Sequence, residues 1–320
     1  MTIQYHSYSC PFFLLCPFFL LCPFSCSGTS CCTYSIRLIF CVTAKPSIVQ
    51  VSGGAGGFTR AMFNRTIDHY HHLFRFVEVI MSLLFKEIDS QVSSIGQISL
   101  RRRRIPAFGD RDIYEVKLGD EFLMSSMFVE AEEALSTLGL AALEGDNLSV
   151  VVGGLGLGYT AVTALKDERV DELFVVDALD TVIGWHKDEK VPLGKILNAD
   201  LRNTYVLGSF FDLAIDPSAG FDPGCPGKKF DAILLDIDHS PTEFLDVANA
   251  SFYTTENLTL MAKQLRSKGV FAMWSQNLPE ADFEALLGTA FESVESHVVS
   301  FFNPFQNNVS TNSVYVCIKA

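Results

Sequence analysis

Acidic residues are missing from the first 67 positions of this 320-residue chain, which hold four basic ones, Arg37, Lys45, Arg60 and Arg65. Cysteine is nearly missing from the rest of the chain. Seven of the nine lie within residues 10–41, leaving only Cys225 and Cys317 beyond. Basic residues are scarce in that second part, 20 against 37 acidic, so it carries a charge of −17 where the whole chain shows −13. Clustered Lys and Arg are what phosphate neutralisation needs, so a nucleic-acid partner is not expected. A small cationic substrate is not opposed by that charge. Two widely separated cysteines cannot build a disulfide framework, and as free thiols they fit a reducing, cytoplasmic setting. A hydrophobic content of 48% excludes a disordered chain.

Long unbroken apolar runs are also lacking. Residues 10–26 read CPFFLLCPFFLLCPFSC, and a proline at every sixth position interrupts any helix. The apolar stretch at 10–24 is shorter than the ~20 residues of a membrane-spanning helix, so no membrane partner is expected. Two readings of residues 1–58 stand: a low-complexity, disordered extension, or a targeting segment. The first nine residues contain no Lys or Arg, which argues against a signal peptide. The cysteine spacings of six, six, four, five and one match no paired zinc pattern, and no metal is expected. GGAGG at 53–57 reads as a joint. Residues 59–93 read as a helical linker, with helical propensity from Thr59 to about Ile88 and His69, His71 and His72 on a partly exposed face.

From Ser94 the pattern becomes one of strands. Residues 95–105 and 112–118, separated by the turn-forming PAFGD, predict a small β-hairpin module over 94–128. The arginine run 101–104 inside it reads as a solvated strand edge. A domain over 129–320 comes next. A helix at 130–143 leads into strands at 148–152, 173–177, 204–207, 230–236 and 270–274, with helices at 161–167, 181–187 and 255–266 between them. Continuous apolar strands such as AILLD (232–236) imply burial on both faces, as in a parallel sheet. After a helix at 282–291, strands at 294–302 and 312–318 are joined by a connection too short for a crossover helix, so they must be antiparallel neighbours. The expected fold is α/β: a doubly wound, mostly parallel seven-stranded sheet ending in an antiparallel hairpin.

The first strand runs into VGGLGLGYTA, where Gly153, Gly154, Gly156 and Gly158 allow a tight turn and close approach to a ligand. Asp177 ends the second strand, where a carboxylate can accept both hydroxyls of a ribose. Gly156, Gly158 and Ala161 also satisfy a relaxed dinucleotide pattern, so a nicotinamide ligand stays open at this point. FDAILLDIDHSP at 230–241 delivers Asp236, Asp238 and His239 to the carboxyl end of a central strand, the edge that borders the ligand crevice in open α/β sheets. Clustered ionisable groups there mark candidate catalytic residues. Pro241, Thr242 and Glu243 are placed at the start of the next helix, making HSP a flap.

GGLGLGY followed by VVD, DIDHSP and VFAMWS resembles the spermidine synthase-like proteins, relatives of polyamine aminopropyltransferases within the class I S-adenosylmethionine-dependent methyltransferase fold. The resemblance covers roughly residues 94–320. It implies S-adenosylmethionine or its decarboxylated form as co-substrate, and an amine or a methyl acceptor as small-molecule partner. It also implies a homodimer, and a base at Asp236 with Asp238 beside it. The sequence departs from the family at several points. Gly156 stands where aminopropyltransferases carry the acid of GGGDGG, and Ser209 where they carry the acid that contacts the adenine amino group. Ala131, Glu132 and Glu133 face their Tyr-His-Glu stretch, with Glu133 in the place of the glutamate. His239 replaces an aspartate. Aminopropyl transfer, methyl transfer and a non-catalytic nucleotide-binding role all remain compatible with these residues.

Overall fold

The computed structural model describes residues 83–320 except position 110, together with the backbone of strands at 2–7, 34–41 and 46–53. The chain divides into two compact units, Met1–Val79 and Ile80–Ala320. In the first, β1 (Thr2–Ser7), β2 (Tyr34–Cys41) and β3 (Pro46–Gly53) form an antiparallel sheet in the order β1-β3-β2. Ile36 and Ile39 in YSIRLIFC and Ile48, Val49 and Val51 in PSIVQVSG supply β-branched strand preference. The CPFFLL repeat and the His69, His71, His72 cluster lie outside the described residues.

The second unit opens with a four-stranded antiparallel sheet, β4 (Phe85–Ser93), β5 (Gly96–Arg104), β6 (Asp112–Leu118) and β7 (Glu121–Ser125), in chain order. Phe85–Ser93 is a strand, whereas the sequence suggests helix as far as Ile88 and a helical linker to 93. Its pairing with β5 makes the arginine run part of an inner strand rather than a solvated edge. Arg101 pairs with Glu87 on β4, and Arg103 and Arg104 pair with Glu115 and Asp112 on β6. The basic run is a cross-strand ion ladder inside the sheet.

The larger sheet contains β8 (Leu148–Gly153), β9 (Val170–Asp177), β10 (Asn203–Leu207), β11 (Phe230–Leu235), β12 (Leu265–Ser275), β13 (Ser293–Asn303) and β14 (Asn308–Ile318), in the order β10-β9-β8-β11-β12-β14-β13. The first five strands are mutually parallel, and β14 runs antiparallel between β12 and β13. This is the doubly wound α/β architecture that the sequence predicts. Residues alternate across the sheet. Val150, Val152, Ala232 and Leu234 bury one face, while Val151, Ile233, Leu235 and Phe271 bury the other. The first face is covered by α1 (Glu130–Ala141), α2 (Tyr159–Leu165), α3 (Asp180–Lys187) and α4 (Gly194–Ala199). The second is covered by α5 (Phe210–Ile215), α6 (Thr255–Ala262) and α7 (Ala281–Leu287). Strand order reverses between β8 and β11, which opens a crevice at their carboxyl ends. Pro241, Thr242 and Glu243 start no helix; they lie in an irregular loop that leads to a 3-10 turn at Val247–Phe252.

Candidate functional site

The turn after β8 is shaped by glycines that have no room for a side chain. Gly154 has φ +94°, and a Cβ there would stand 2.0 Å from the backbone oxygen of Asp236. Strands β8 and β11 can therefore converge at their ends, where the Asp236 N–H donates to Gly153 O at 2.8 Å. Gly158 caps α2, and behind it buried His186 on α3 sits 3.0 Å from Gly156 O through Nε2. Burial holds the His186 imidazole down at about 4, so it is neutral and supports the turn without adding charge.

Asp177 closes the same turn from β9. Its carboxylate accepts the N–H of Leu155 at 3.0 Å and of Leu179 at 2.8 Å. Burial raises its pKa, and these backbone donors oppose the rise. Each oxygen keeps lone-pair capacity toward the crevice. Ser209 lies at the amino-terminal cap of α5, where its Oγ accepts the Asp212 N–H at 3.2 Å.

A cavity of about 500 Å³ occupies the crevice, within the size range of small-molecule sites. Gly154, Gly156, Asp177, Ser209, Asp236 and His239 all line it, so six of the nine residues singled out from sequence converge. Gly153 and Gly158 lie in the turn behind, and a Cβ on Gly153 would strike the Phe210 ring at 2.4 Å. Phe210, Phe211, Leu179 and Ile237 give the cavity an apolar end able to take a flat base.

Asp236 is the best-placed candidate base. Its Oδ2 accepts the Thr160 hydroxyl at 2.6 Å, and burial pushes its carboxyl up to about 6. Facing it from α1 is Glu132, raised to about 8 by burial first and by the charge of Asp236 second. Two carboxylates that resist joint ionisation hold a proton between them near neutrality, and their titration belongs to the pair. The family resemblance points to Glu133 on this helix, but Glu133 turns outward to Lys166 at 3.3 Å. Helical spacing carries the signal for Glu132 instead: Leu135 and Ser136, three and four residues past it, are buried. Thr160 and Met124 carry no such signal, and only the tertiary fold brings them in.

Asp238 departs from the expected role. It is buried and does not line the cavity; its Oδ1 accepts Leu245 N–H and Asn249 Nδ2, both at 2.8 Å, and its Oδ2 accepts the Tyr253 hydroxyl at 2.7 Å. All three donors belong to the next loop, so Asp238 anchors that loop over the crevice. Asp238→Ala leaves three polar groups without their acceptor, at about 1 to 3 kcal/mol for each one that stays buried. We expect proteolytic nicking within residues 239–253 at least tenfold faster than in the wild type, while Asp238→Asn, which keeps an acceptor, nicks more slowly than the alanine variant. Equal rates in all three proteins would refute the anchoring role. His239 sits at the cavity rim, where Nε2 meets Glu121 of β7 at 2.8 Å.

Among the described residues, no helix is long and apolar enough to cross a membrane, and no group of three His, Cys, Asp or Glu could hold a metal ion.

No family model matches this chain. No curated protein matches it either. Solved structures do. The crystal structure of spermidine synthase from Thermotoga maritima aligns with a TM-score of 0.54 at 16% identity, over 73% of each chain. Spermidine synthase in complex with the transition-state analogue AdoDATO aligns with a TM-score of 0.55 at 18% identity, over 73% of this chain and 74% of that one. Over the aligned residues the chain shares its fold with these spermidine synthases.

Proposed function

We propose that this protein is a transferase that binds decarboxylated S-adenosylmethionine in the crevice and moves its aminopropyl group to a small amine. The supporting observation is the character of the cavity wall. Glu130, Glu132, Asp177, Asp212, Asp236 and Asp246 line it, and among the described residues no Lys or Arg does. Such a wall favours cationic ligands on both sides of the transfer. In this reading the apolar end holds the adenine, Asp177 accepts the ribose hydroxyls, and Ser209 replaces a charged adenine contact with a neutral one.

Asp236 takes a proton from the incoming ammonium. The freed nitrogen lone pair forms the new N–C bond at the carbon beside the sulfonium, the C–S bond breaks, and its electrons neutralise sulfur as the thioether of methylthioadenosine. No covalent enzyme intermediate is required; orientation and a correctly protonated carboxylate supply the catalysis. Among the described residues the two cysteines, exposed Cys225 and buried Cys317, are free thiols, which fits a cytoplasmic enzyme.

One observation favours a second reading. Gly156 brings no charge to the glycine turn, so S-adenosylmethionine itself meets less repulsion there, and methyl transfer would follow. Incubation of the full chain with each donor and a panel of diamines, followed by mass spectrometry, separates the two. Methylthioadenosine formed only when donor and amine are both present is the expected result. S-adenosylhomocysteine would transfer the assignment to methylation, and the absence of both products would leave a non-catalytic binding protein.

A further inference from the structure

We propose that Glu132 is a specificity-determining residue: it anchors a ligand's terminal ammonium and excludes ligands that carry a carboxylate at that end. The inference rests on the proposed use of the crevice for an S-adenosyl ligand, and it assigns the recognition of the ligand's tail to a different element from the glycine turn.

The turn itself carries no acid in this chain, and a side chain at Gly156 would have to displace Met124. A Cβ at Gly156 would lie 2.4 Å from Met124 Sδ, and that sulfur is held in place as acceptor of the Leu157 N–H at 3.1 Å. Met124 comes from β7, so the antiparallel sheet fills the volume in front of the turn. Charge reaches the cavity instead from the first turn of α1. Of its three acids, Glu133 is engaged by Lys166, and Glu130 accepts the Val129 N–H at 2.9 Å. Glu132 lines the cavity with Asp236, and its carboxylate finds no side-chain donor among the described residues; its own backbone N–H is its hydrogen-bond partner. A carboxylate placed beside a second one, with no Lys or Arg among the described cavity residues to balance either, is a group that lacks a counter-charge.

An ammonium between Glu132 and Asp236 supplies that partner, with charge-assisted hydrogen bonds to both. A ligand whose ammonium is accompanied by a carboxylate places a third negative charge against them, with no Lys or Arg among the described wall residues to offset it. Like charges forced together at a desolvated site strongly disfavour binding, ample for a tenfold or larger preference.

The test is calorimetry on the full-length wild type and E132Q with methylthioadenosine, decarboxylated S-adenosylmethionine and S-adenosylmethionine. Wild type should bind the decarboxylated form at least tenfold more tightly than the intact one. E132Q should weaken the decarboxylated form at least tenfold, keep methylthioadenosine within about twofold, and narrow the difference between the two sulfonium ligands. If E132Q weakens methylthioadenosine and the decarboxylated form alike, or changes neither, the anchoring role is overturned and the nucleoside site stands. If wild type binds none of the three, the reading of the crevice fails and the inference fails with it. Thermal melting checks folding: replacing a buried, mutually repelling carboxylate with an amide should not lower the melting temperature at pH 7.

Discussion

Asp236→Asn is expected to lower turnover by about 10²- to 10⁴-fold, the range typical of a lost general base, with methylthioadenosine affinity changing no more than a few-fold. The substitution keeps the acceptor that Thr160 uses at 2.6 Å, so the local geometry is preserved. It also removes a group whose ionisation burial opposes. A carboxylate raised in the folded state contributes stability only at pH values where it is protonated, and that contribution is lost as pH rises through about 6. At pH 7 the amide variant should thus be at least as stable as the wild type, and lost turnover cannot be blamed on unfolding. In the wild type, kcat should fall as pH drops through about 6, because the base form disappears. The raised carboxyl of Glu132 makes the profile that of a pair. The aspartate-to-asparagine variant should lose the limb near 6. Loss of nucleoside affinity along with turnover would make Asp236 a binding residue and move the base elsewhere.

Gly154→Ala should destabilise the domain by about 2 to 5 kcal/mol, adding left-handed backbone strain to an overpacking penalty. The clash is with backbone, 2.0 Å from the carbonyl oxygen of Asp236, so no side chain can swing aside. Nor can the strand ends part freely. Gly154 N–H donates to Val176 O at 2.9 Å and Asp236 N–H to Gly153 O at 2.8 Å, so relief at one point breaks pairing at another. Against a total stability of about 5 to 15 kcal/mol that is a large fraction, and any folded remnant holds Asp236 out of place. Gly145→Ala provides the comparison, because Gly145 has φ +87° with nothing within 4 Å of an added Cβ. It should lose only the backbone term, about 1 to 2 kcal/mol. Denaturant unfolding of both variants reads the difference; equal losses would mean that the approach of the two strands is not tight.

The parts of this protein that are legible in its sequence are those set by local periodicity. Apolar runs such as LSVVV and FDAILL announce strands buried on both faces, and an Asn-rich connection between 302 and 312, too short for a crossover helix, forces the last two strands to be antiparallel; the structure shortens it to a four-residue turn at 304–307. The glycine turn and the acids ending β9 and following β11 are legible for the same reason: each is fixed by where a strand stops. Asp238 marks the limit of that reasoning. Spaced two residues from Asp236, it would share its direction in an extended strand, but β11 ends at Leu235 and the chain turns, sending Asp238 into its own loop.

Sequence alone thus determined the order of the seven strands of the larger sheet and the delivery of Asp236 to the carboxyl end of one of them, because backbone hydrogen bonding and burial depend on residues close in the chain. Tertiary structure alone decided what surrounds Asp236. Thr160 and Glu132 reach it from α2 and α1, and Met124 fills the space before Gly156 from a separate sheet. It also decided that the arginines of β5 are paired between strands, since a ladder needs both neighbours and one of them, β4, carries no clear strand signal. Side-chain chemistry at a site depends on which groups packing brings within a few ångströms, and that is a property of contacts between distant residues, which no local pattern encodes.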